Sequence, residues 1–141
     1  MEKAAGLLLY KKCCGHVMFL FLKASYGIMH WSPPKGHCDP HEQLIETAIR
    51  ETEEECAINK SDIEILSEFT HISKYDVNGK PKTVCYWLAK LINTNKDIVL
   101  SNEHVEYRWV TFEDAMKLTN FEATHRLLRA ANEFLQSKSK T

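Results

Sequence analysis

The sequence has few cysteines, no long apolar run and no excess of charge of either sign. Its 141 residues carry a formal net charge of −1, which argues against bulk DNA or RNA as a partner. The five cysteines are odd in number and form no CxxC pair, which argues against a disulfide framework and fits a reducing compartment. The apolar stretch of the leading segment MEKAAGLLLYKK is too short to span a bilayer, and no signal-peptidase site follows it. We therefore expect a cytoplasmic monomer, with the nucleus as a second compartment and no membrane partner.

The composition is that of an ordinary globular domain. Apolar residues make up 44% and charged residues 26% of the chain, and the length suits one core. We expect a single domain over residues 1–136 and a disordered tail over 137–141.

Apolar patterns along the chain predict an α/β fold. Strands are expected over 4–10, 17–24, 63–69, 71–77, 83–91 and 106–110, with the first two forming a hairpin. Helices are expected over 42–57, 111–119 and 122–136, with a capping box at Asp39–Glu42 and Thr111 as a second N-cap. The proline-rich segment 25–41 reads as a long irregular loop, and loops of this length tend to be functional.

The segment RETEEEC, residues 50–56, crowds four glutamates onto one helix. At 100° per residue, Glu53 faces away from the apolar stripe, whereas Glu51, Glu54 and Glu55 lie along the edge of that stripe. Carboxylates at such an edge lose hydration and repel one another, so a divalent cation such as Mg²⁺ or Mn²⁺ would compensate them. From this stretch alone, a solvated acidic face is an equally good interpretation.

The surrounding segment GHCDPHEQLIETAIRETEEECAI, residues 36–58, resembles the Nudix box, G-x5-E-x7-R-E-U-x-E-E-x-G-U, in which U is a bulky aliphatic residue. The matching positions are Gly36, Glu42, Arg50, Glu51, Glu54, Glu55 and Ile58. Two positions depart from the pattern. Thr52 replaces the aliphatic residue and can still pack. Ala57 replaces the second glycine, which argues against a left-handed C-cap there.

The resemblance implies a Nudix-type α/β/α sandwich around a mixed β-sheet, with a loop–helix–loop catalytic motif. Nudix enzymes hydrolyse nucleoside diphosphates linked to another moiety with the help of Mg²⁺ or Mn²⁺. By this resemblance Glu51, Glu54 and Glu55 are metal ligands, together with the backbone carbonyl of Gly36. Arg50 would orient the glutamates, and Glu42 would pair with it or brace the loop.

Three flanking motifs, HWSPPKGHCDP, NGKPKTVCYWLA and LSNEHVEYRW, are similar to those of animal-type asymmetrical diadenosine tetraphosphate hydrolases. This resemblance implies a small dinucleoside polyphosphate substrate that is cleaved to ATP and AMP by metal-activated water. Other Nudix substrates stay open as alternatives: a nucleoside triphosphate, a capped RNA end or a diphosphoinositol. A nucleotide-binding module without hydrolysis is a further alternative.

The same resemblance assigns roles outside the box. Lys35, His37, Lys80 and Lys82 would contact phosphate, and Tyr75 would stack on adenine with Phe121 as the partner stacking position. Glu103 would be a metal ligand or the general base. Each has a plainer alternative, which is a solvated loop residue for the charged groups and cross-strand packing for Tyr75.

Overall fold

A computed structural model describes residues 2–27 and 29–139. Within them the strands are β1 (Glu2–Cys13), β2 (His16–Ala24), β3 (Trp31–Ser32), β4 (Lys35–His37), β5 (Ile63–Val77), β6 (Lys80–Leu91) and β7 (His104–Val110). The helices are α1 (Leu44–Cys56), α2 (Phe112–Leu118) and α3 (Glu122–Ser139), and a short 3-10 turn at Lys60–Asp62 precedes β5. No helix in the described ranges is both long and apolar enough to cross a bilayer.

The strands form one mixed sheet in the order β3-β2-β1-β6-β5, with β4 paired to β1 and β7 paired to β2. The central pair β1–β6 is parallel, and every other pairing is antiparallel. The predicted hairpin of the first two strands is confirmed, and its turn is only Cys14–Gly15. The strand predicted in two pieces, 63–69 and 71–77, is the single strand β5, whose register with β6 shifts between Leu66 and Thr70.

Helices cover both faces of the sheet because β1 is apolar on both sides. Leu7 and Leu9 pack towards α1, where Ala48 and Cys56 are fully buried. Leu8 and Tyr10 point to the other face and join the cluster that contains the buried stripe of α3, which is Leu127, Leu128 and Ala131. Side chains alternate across a strand, so this one strand contributes to both core layers. The result is the α/β/α sandwich that was predicted.

The segment 25–41 is less irregular than predicted, because it contains β3 and β4. Strands of two and three residues carry no periodic signal, and these two exist through pairing with β2 and β1. The segment places Lys35–His37 beside β1 and then leads to the start of α1. This segment therefore positions the residues before the helix rather than simply connecting two elements.

Helix α1 begins at Leu44, two residues later than predicted. Gln43 is its N-cap, and its backbone N–H donates to the Glu46 carboxylate at 2.9 Å, so the capping box lies here and not at Asp39–Glu42. The helix ends with Ala57 in the left-handed region at φ 65°, and the Ala57 N–H donates to the Glu53 carbonyl. The expectation that alanine would prevent a left-handed cap is wrong. The helix ends this way in spite of the Cβ.

The predicted disordered tail is also partly wrong. Helix α3 continues through Ser139, and Lys138 in its last turn contacts the Glu68 carboxylate on β5 at 3.3 Å. Residues 140 and 141 of the predicted tail lie outside the described residues.

Candidate active site

The four glutamates of RETEEEC occupy three environments along α1. Glu53 is exposed, as predicted, and Glu55 is buried with 8% of its surface exposed. Glu51 is half-buried. Glu54 was expected at the edge of the apolar stripe, but 57% of its side chain is exposed. Burial therefore distinguishes Glu55 most sharply from its neighbours. Thr52 is fully buried, as its packing role requires, and its hydroxyl donates to the Ala48 carbonyl.

Arg50 links the loop before α1 to the glutamates on the helix. Its guanidinium binds Glu42 through two parallel hydrogen bonds, from Nε to Oε2 at 2.8 Å and from Nη2 to Oε1 at 3.0 Å. Its Nη1 donates to Glu51 at 3.0 Å and to Glu54 at 3.1 Å, and its Nη2 also donates to the His37 carbonyl at 3.0 Å. The paired geometry is the strongest form of an arginine–carboxylate contact. The predicted pairing of Arg50 with Glu42 is present.

Glu42 holds the loop through contacts besides the arginine. Its carboxylate accepts from the Thr47 hydroxyl at 2.7 Å and from the Asp39 backbone N–H at 3.0 Å. Hydrogen bonds from Arg50 first, then from Thr47 and Asp39, lower the pKa of Glu42 to about 2. Glu42 is therefore ionised at every physiological pH and serves to fix Arg50 and the loop.

Gly36 on β4 lies directly against the glutamates. A Cβ added to Gly36 would lie 2.0 Å from the Glu51 carboxyl carbon, so no side chain fits at this position. The requirement for glycine here is one of close approach rather than of backbone conformation. Next to it, the Lys35 backbone N–H donates to Glu55 Oε1 at 3.2 Å. Strand β4 thus places main-chain groups within reach of Glu51 and Glu55.

The surroundings of Glu55 disfavour its ionised form. Its pKa is raised to about 8, chiefly by burial and also by the neighbouring carboxylates of Glu51 and Glu103, while the backbone hydrogen bond and the charge of Lys35 act in the opposite direction. Burial also raises the pKa of Glu51. Glu103 is exposed in the turn before β7, and its charge acts on Glu55, so the fold brings this residue to the α1 site. Repulsion among these carboxylates is the condition that a bound cation relieves.

A small cavity of about 40 Å³ lies beside this site, and most of the residues predicted to bind phosphate line it. It is lined by Ala4, Lys35, Gly36, His37, Tyr75, Lys82, Thr83 and Val84. Tyr75 and Lys82 face each other as cross-strand partners on β5 and β6. Lys80 does not line the cavity, because it lies two residues earlier on β6, is exposed and pairs with Val77.

Phe121 lies in a different cavity from Tyr75. That cavity has a volume of about 350 Å³ and is lined by Met29, His30, Trp31, Leu118, Thr119, Asn120 and Phe121. The Phe121 ring meets the His30 ring edge-on, with centroids 5.4 Å apart. The structure therefore separates the two predicted stacking residues into two cavities.

Two residues near Glu55 were not assigned a role from the sequence. His104 Nε2 lies 3.8 Å from Glu55 Oε1, and the Ser101 hydroxyl lies 3.3 Å from His104 Nδ1. The Ser101 backbone N–H also donates to the Glu55 carbonyl. The only signal in the sequence was that both residues flank Glu103 in the motif LSNEHVEYRW.

The carboxylates do not form a closed cage in this structure. Across residues 2–27 and 29–139, no three His, Cys, Asp or Glu side chains are arranged as ligands of one metal ion. Arg50 holds Glu51 and Glu54, while Glu55 accepts from the Lys35 N–H. The metal roles of Glu51, Glu54, Glu55 and Gly36 stay predictions.

Comparison with known proteins assigns the family. Residues 3–131 match the NUDIX domain. The chain belongs to the Nudix family. Its loop–helix–loop with Arg50 at the centre is therefore the Nudix motif of this chain, and the predicted family and fold are confirmed.

Full-length relatives place the Nudix chain close to one group of hydrolases. It is 47% identical over 133 residues to the asymmetrical bis(5'-nucleosyl)-tetraphosphatase of Caenorhabditis elegans, covering 94% of this chain and 96% of the relative. The Mus musculus protein of the same name is 42% identical over 141 residues, covering 96% of each. A crystal structure of a C. elegans Ap4A hydrolase binary complex superposes with a TM-score of 0.93 at 45% identity, covering 97% and 99% of the two chains. The predicted resemblance to the asymmetrical hydrolases is confirmed.

Proposed function

We propose that this Nudix chain is a divalent-cation-dependent hydrolase that cleaves diadenosine tetraphosphate, or a similar dinucleoside tetraphosphate, to ATP and AMP. The observation that carries the proposal is the buried carboxylate of Glu55 beside Glu51 and Glu103, next to a cavity lined by Lys35 and Lys82. A cavity lined by lysines beside crowded carboxylates suits a substrate that is polyanionic and needs a cation to react. The names of the full-length relatives support the tetraphosphate in particular.

The residues fit a hard divalent cation. Carboxylate oxygens and main-chain carbonyls are the ligands that Mg²⁺ and Mn²⁺ prefer. We propose Glu51, Glu54, Glu55 and the Gly36 carbonyl as the ligand set. When bound, the cation neutralises phosphate charge and lowers the pKa of a water molecule that attacks phosphorus. We name Mg²⁺ as the physiological ion, with Mn²⁺ as a substitute of similar ligand preference.

The protein side chains bind and orient the polyphosphate. Lys35 and His37 on β4 and Lys82 on β6 line one small cavity and neutralise phosphate oxygens there, whereas the exposed Lys80 contributes only from the rim. Tyr75 lines the same cavity and offers its ring face to one adenine. Phe121, in the separate larger cavity, is available to the second base.

Arg50 and Glu103 have different tasks in the proposed reaction. Arg50 is a positioning residue, because it fixes Glu51 and Glu54 while Glu42 fixes it in turn. Glu103 is exposed beside Glu55, where water has access, and we assign it the removal of a proton from the attacking water.

Initial rates on a panel of substrates test the proposal. Diadenosine tetraphosphate, diadenosine triphosphate and ATP are compared at equal concentration with Mg²⁺, with Mn²⁺ and with a chelator in excess. We expect the tetraphosphate to be hydrolysed fastest and the chelator to abolish turnover. Preference for ATP would assign the chain to another Nudix substrate, and turnover that survives the chelator would refute the cation requirement.

A further inference from the structure

The turn between β1 and β2 holds two adjacent cysteines that the proposed function does not use. Cys13 ends β1, and Cys14 and Gly15 form the turn before β2 begins at His16. Both residues are exposed, neither forms a disulfide, and their Sγ atoms share a hydrogen bond at 3.7 Å. Successive side chains of a strand point to opposite faces, so a regular strand would separate these sulfurs. The turn, and not the strand, brings them together.

The backbone at Cys14 produces this approach. Its φ is 54° and that of Gly15 is 81°, so both turn residues are in the left-handed region, as in a type I′ hairpin. Asparagine, aspartate and glycine are the residues that suit the first position of this turn, and cysteine is not among them. The second thiol therefore occupies a position that turn formation alone does not explain.

The backbone spacing of the two cysteines favours metal chelation over a disulfide. A disulfide joins residues whose Cα atoms usually lie about 4.4–6.8 Å apart, whereas consecutive Cα atoms lie only about 3.8 Å apart. The backbone of Cys13 and Cys14 is thus too close for an unstrained disulfide. Two thiolates bound at about 2.3 Å to one tetrahedral ion have sulfurs separated by about 3.8 Å. The two Sγ atoms, now in hydrogen-bond contact at 3.7 Å, already lie at about this separation, so both can bind one ion with little movement.

We propose that Cys13 and Cys14 form a two-thiolate site for a thiophilic divalent cation of the Zn²⁺ and Cd²⁺ class. On binding, the two thiols release two protons to solvent as two metal–sulfur bonds form, and water or a small solute fills the remaining positions. His16 is the cross-strand partner of Cys13, but among the described residues no three potential ligands surround one point, so the chain supplies two. Thiolates select soft cations, whereas the carboxylates of α1 select hard ones.

Cadmium is a suitable probe because its bonds to thiolates give a charge-transfer absorbance in the ultraviolet. The full chain is reduced with a phosphine, freed of reductant and titrated with Cd²⁺ in the presence of excess Mg²⁺, which occupies the carboxylates. The variants are Cys13→Ser and Cys14→Asn, with Cys85→Ser as the matched control because Cys85 is a half-buried thiol on β6. Asparagine suits the left-handed turn, so Cys14→Asn removes the thiol while keeping the hairpin.

We expect the unaltered chain and Cys85→Ser to bind one Cd²⁺ with a saturable charge-transfer band. In Cys13→Ser and in Cys14→Asn, affinity should fall at least about 100-fold, because each variant loses the intramolecular second thiolate. Circular dichroism verifies that both variants are folded. The absence of a saturable band in the unaltered chain, or retention of the band in either hairpin variant, would overturn the proposal.

Discussion

Glu53 and Glu55 lie two residues apart on α1 and meet different surroundings. Glu53 is exposed to solvent, whereas Glu55 is buried beside Glu51 and accepts a hydrogen bond from the Lys35 N–H. A buried carboxylate among others opposes folding at neutral pH, because burial and like charge disfavour its ionised form. Residues that cost stability in this way are typical of functional sites.

Replacement of Glu55 by glutamine should therefore separate activity from stability. Glu55→Gln keeps the shape and removes the charge that the proposed cation binds, so we expect kcat to fall by more than about 100-fold. The free energy of unfolding should stay the same or increase, because a neutral amide is cheaper to bury here. Steady-state rates with diadenosine tetraphosphate and urea denaturation measure the two quantities.

Glu53→Gln is the matched control on the same helix. It removes one charge from the same acidic run but touches solvent only, so activity should stay within about twofold. Near-native turnover by Glu55→Gln would show that the cation assignment is wrong. A large loss in Glu53→Gln would show that net charge, and not position, matters on this helix.

At the scale of elements, the end of α1 carries backbone strain. Ala57 ends the helix with φ 65°. In this left-handed conformation a Cβ raises the conformational energy of an L-residue, whereas glycine has no Cβ and is not strained. Ala57→Gly should therefore stabilise the protein by about 0.5–1 kcal/mol in urea denaturation. In the interior of α3, Ala130→Gly should instead destabilise by about 1 kcal/mol. If Ala57→Gly destabilises to the same extent, the left-handed cap is not formed.

The turn before β5 gives a pH-dependent contribution to stability. Asp62 accepts from the Asn59 N–H at 3.0 Å and from Asn93 Nδ2, and Lys96 Nζ lies 3.2 Å away, so the pKa of this carboxyl is lowered. Its contribution is complete above the unfolded value, which is about 3.9, and is lost as pH falls through the lower folded value.

Asp62→Asn tests that contribution. At pH 7 we expect the variant to lose about 1–3 kcal/mol of unfolding free energy, because hydrogen bonds to a charged acceptor disappear. The difference between the two proteins should shrink as pH falls below about 4. A difference that is constant from pH 7 to pH 3 would mean that the ionised carboxylate does not supply the stabilisation.

Among the elements, the sequence predicted the long strands but not the short ones. Apolar runs predicted β1, β2 and β6 because each run extends over most of its strand. Strands β3 and β4 were missed because two or three residues have no period, and pairing with β2 and β1 alone creates them. The start of α1 was misplaced because Glu42 does accept from the Asp39 N–H, as a capping glutamate would, but it also binds Arg50 and Thr47, and the helix begins only at Leu44.

Across the whole molecule, the sheet brings residues from distant parts of the chain to one site. The motif RETEEEC predicted the carboxylates of α1, and resemblance in the flanking motifs predicted Lys35, Tyr75, Lys82 and Glu103. The separation of Phe121 from Tyr75 was not predictable, because it depends on where the connection between α2 and α3 lies relative to strand β5 of the sheet. Glu54 is exposed although the helical wheel placed it at the edge of the apolar stripe, and its carboxylate accepts a hydrogen bond from Arg50 one turn earlier.

The products released from diadenosine tetraphosphate test the central claim most directly. The substrate is incubated with the protein and Mg²⁺, and the nucleotides are separated and quantified while less than a tenth of the substrate is consumed. The proposed asymmetrical cleavage predicts ATP and AMP in equal amounts, with no ADP. Two molecules of ADP per substrate, or no cleavage while ATP is hydrolysed, would contradict the proposal.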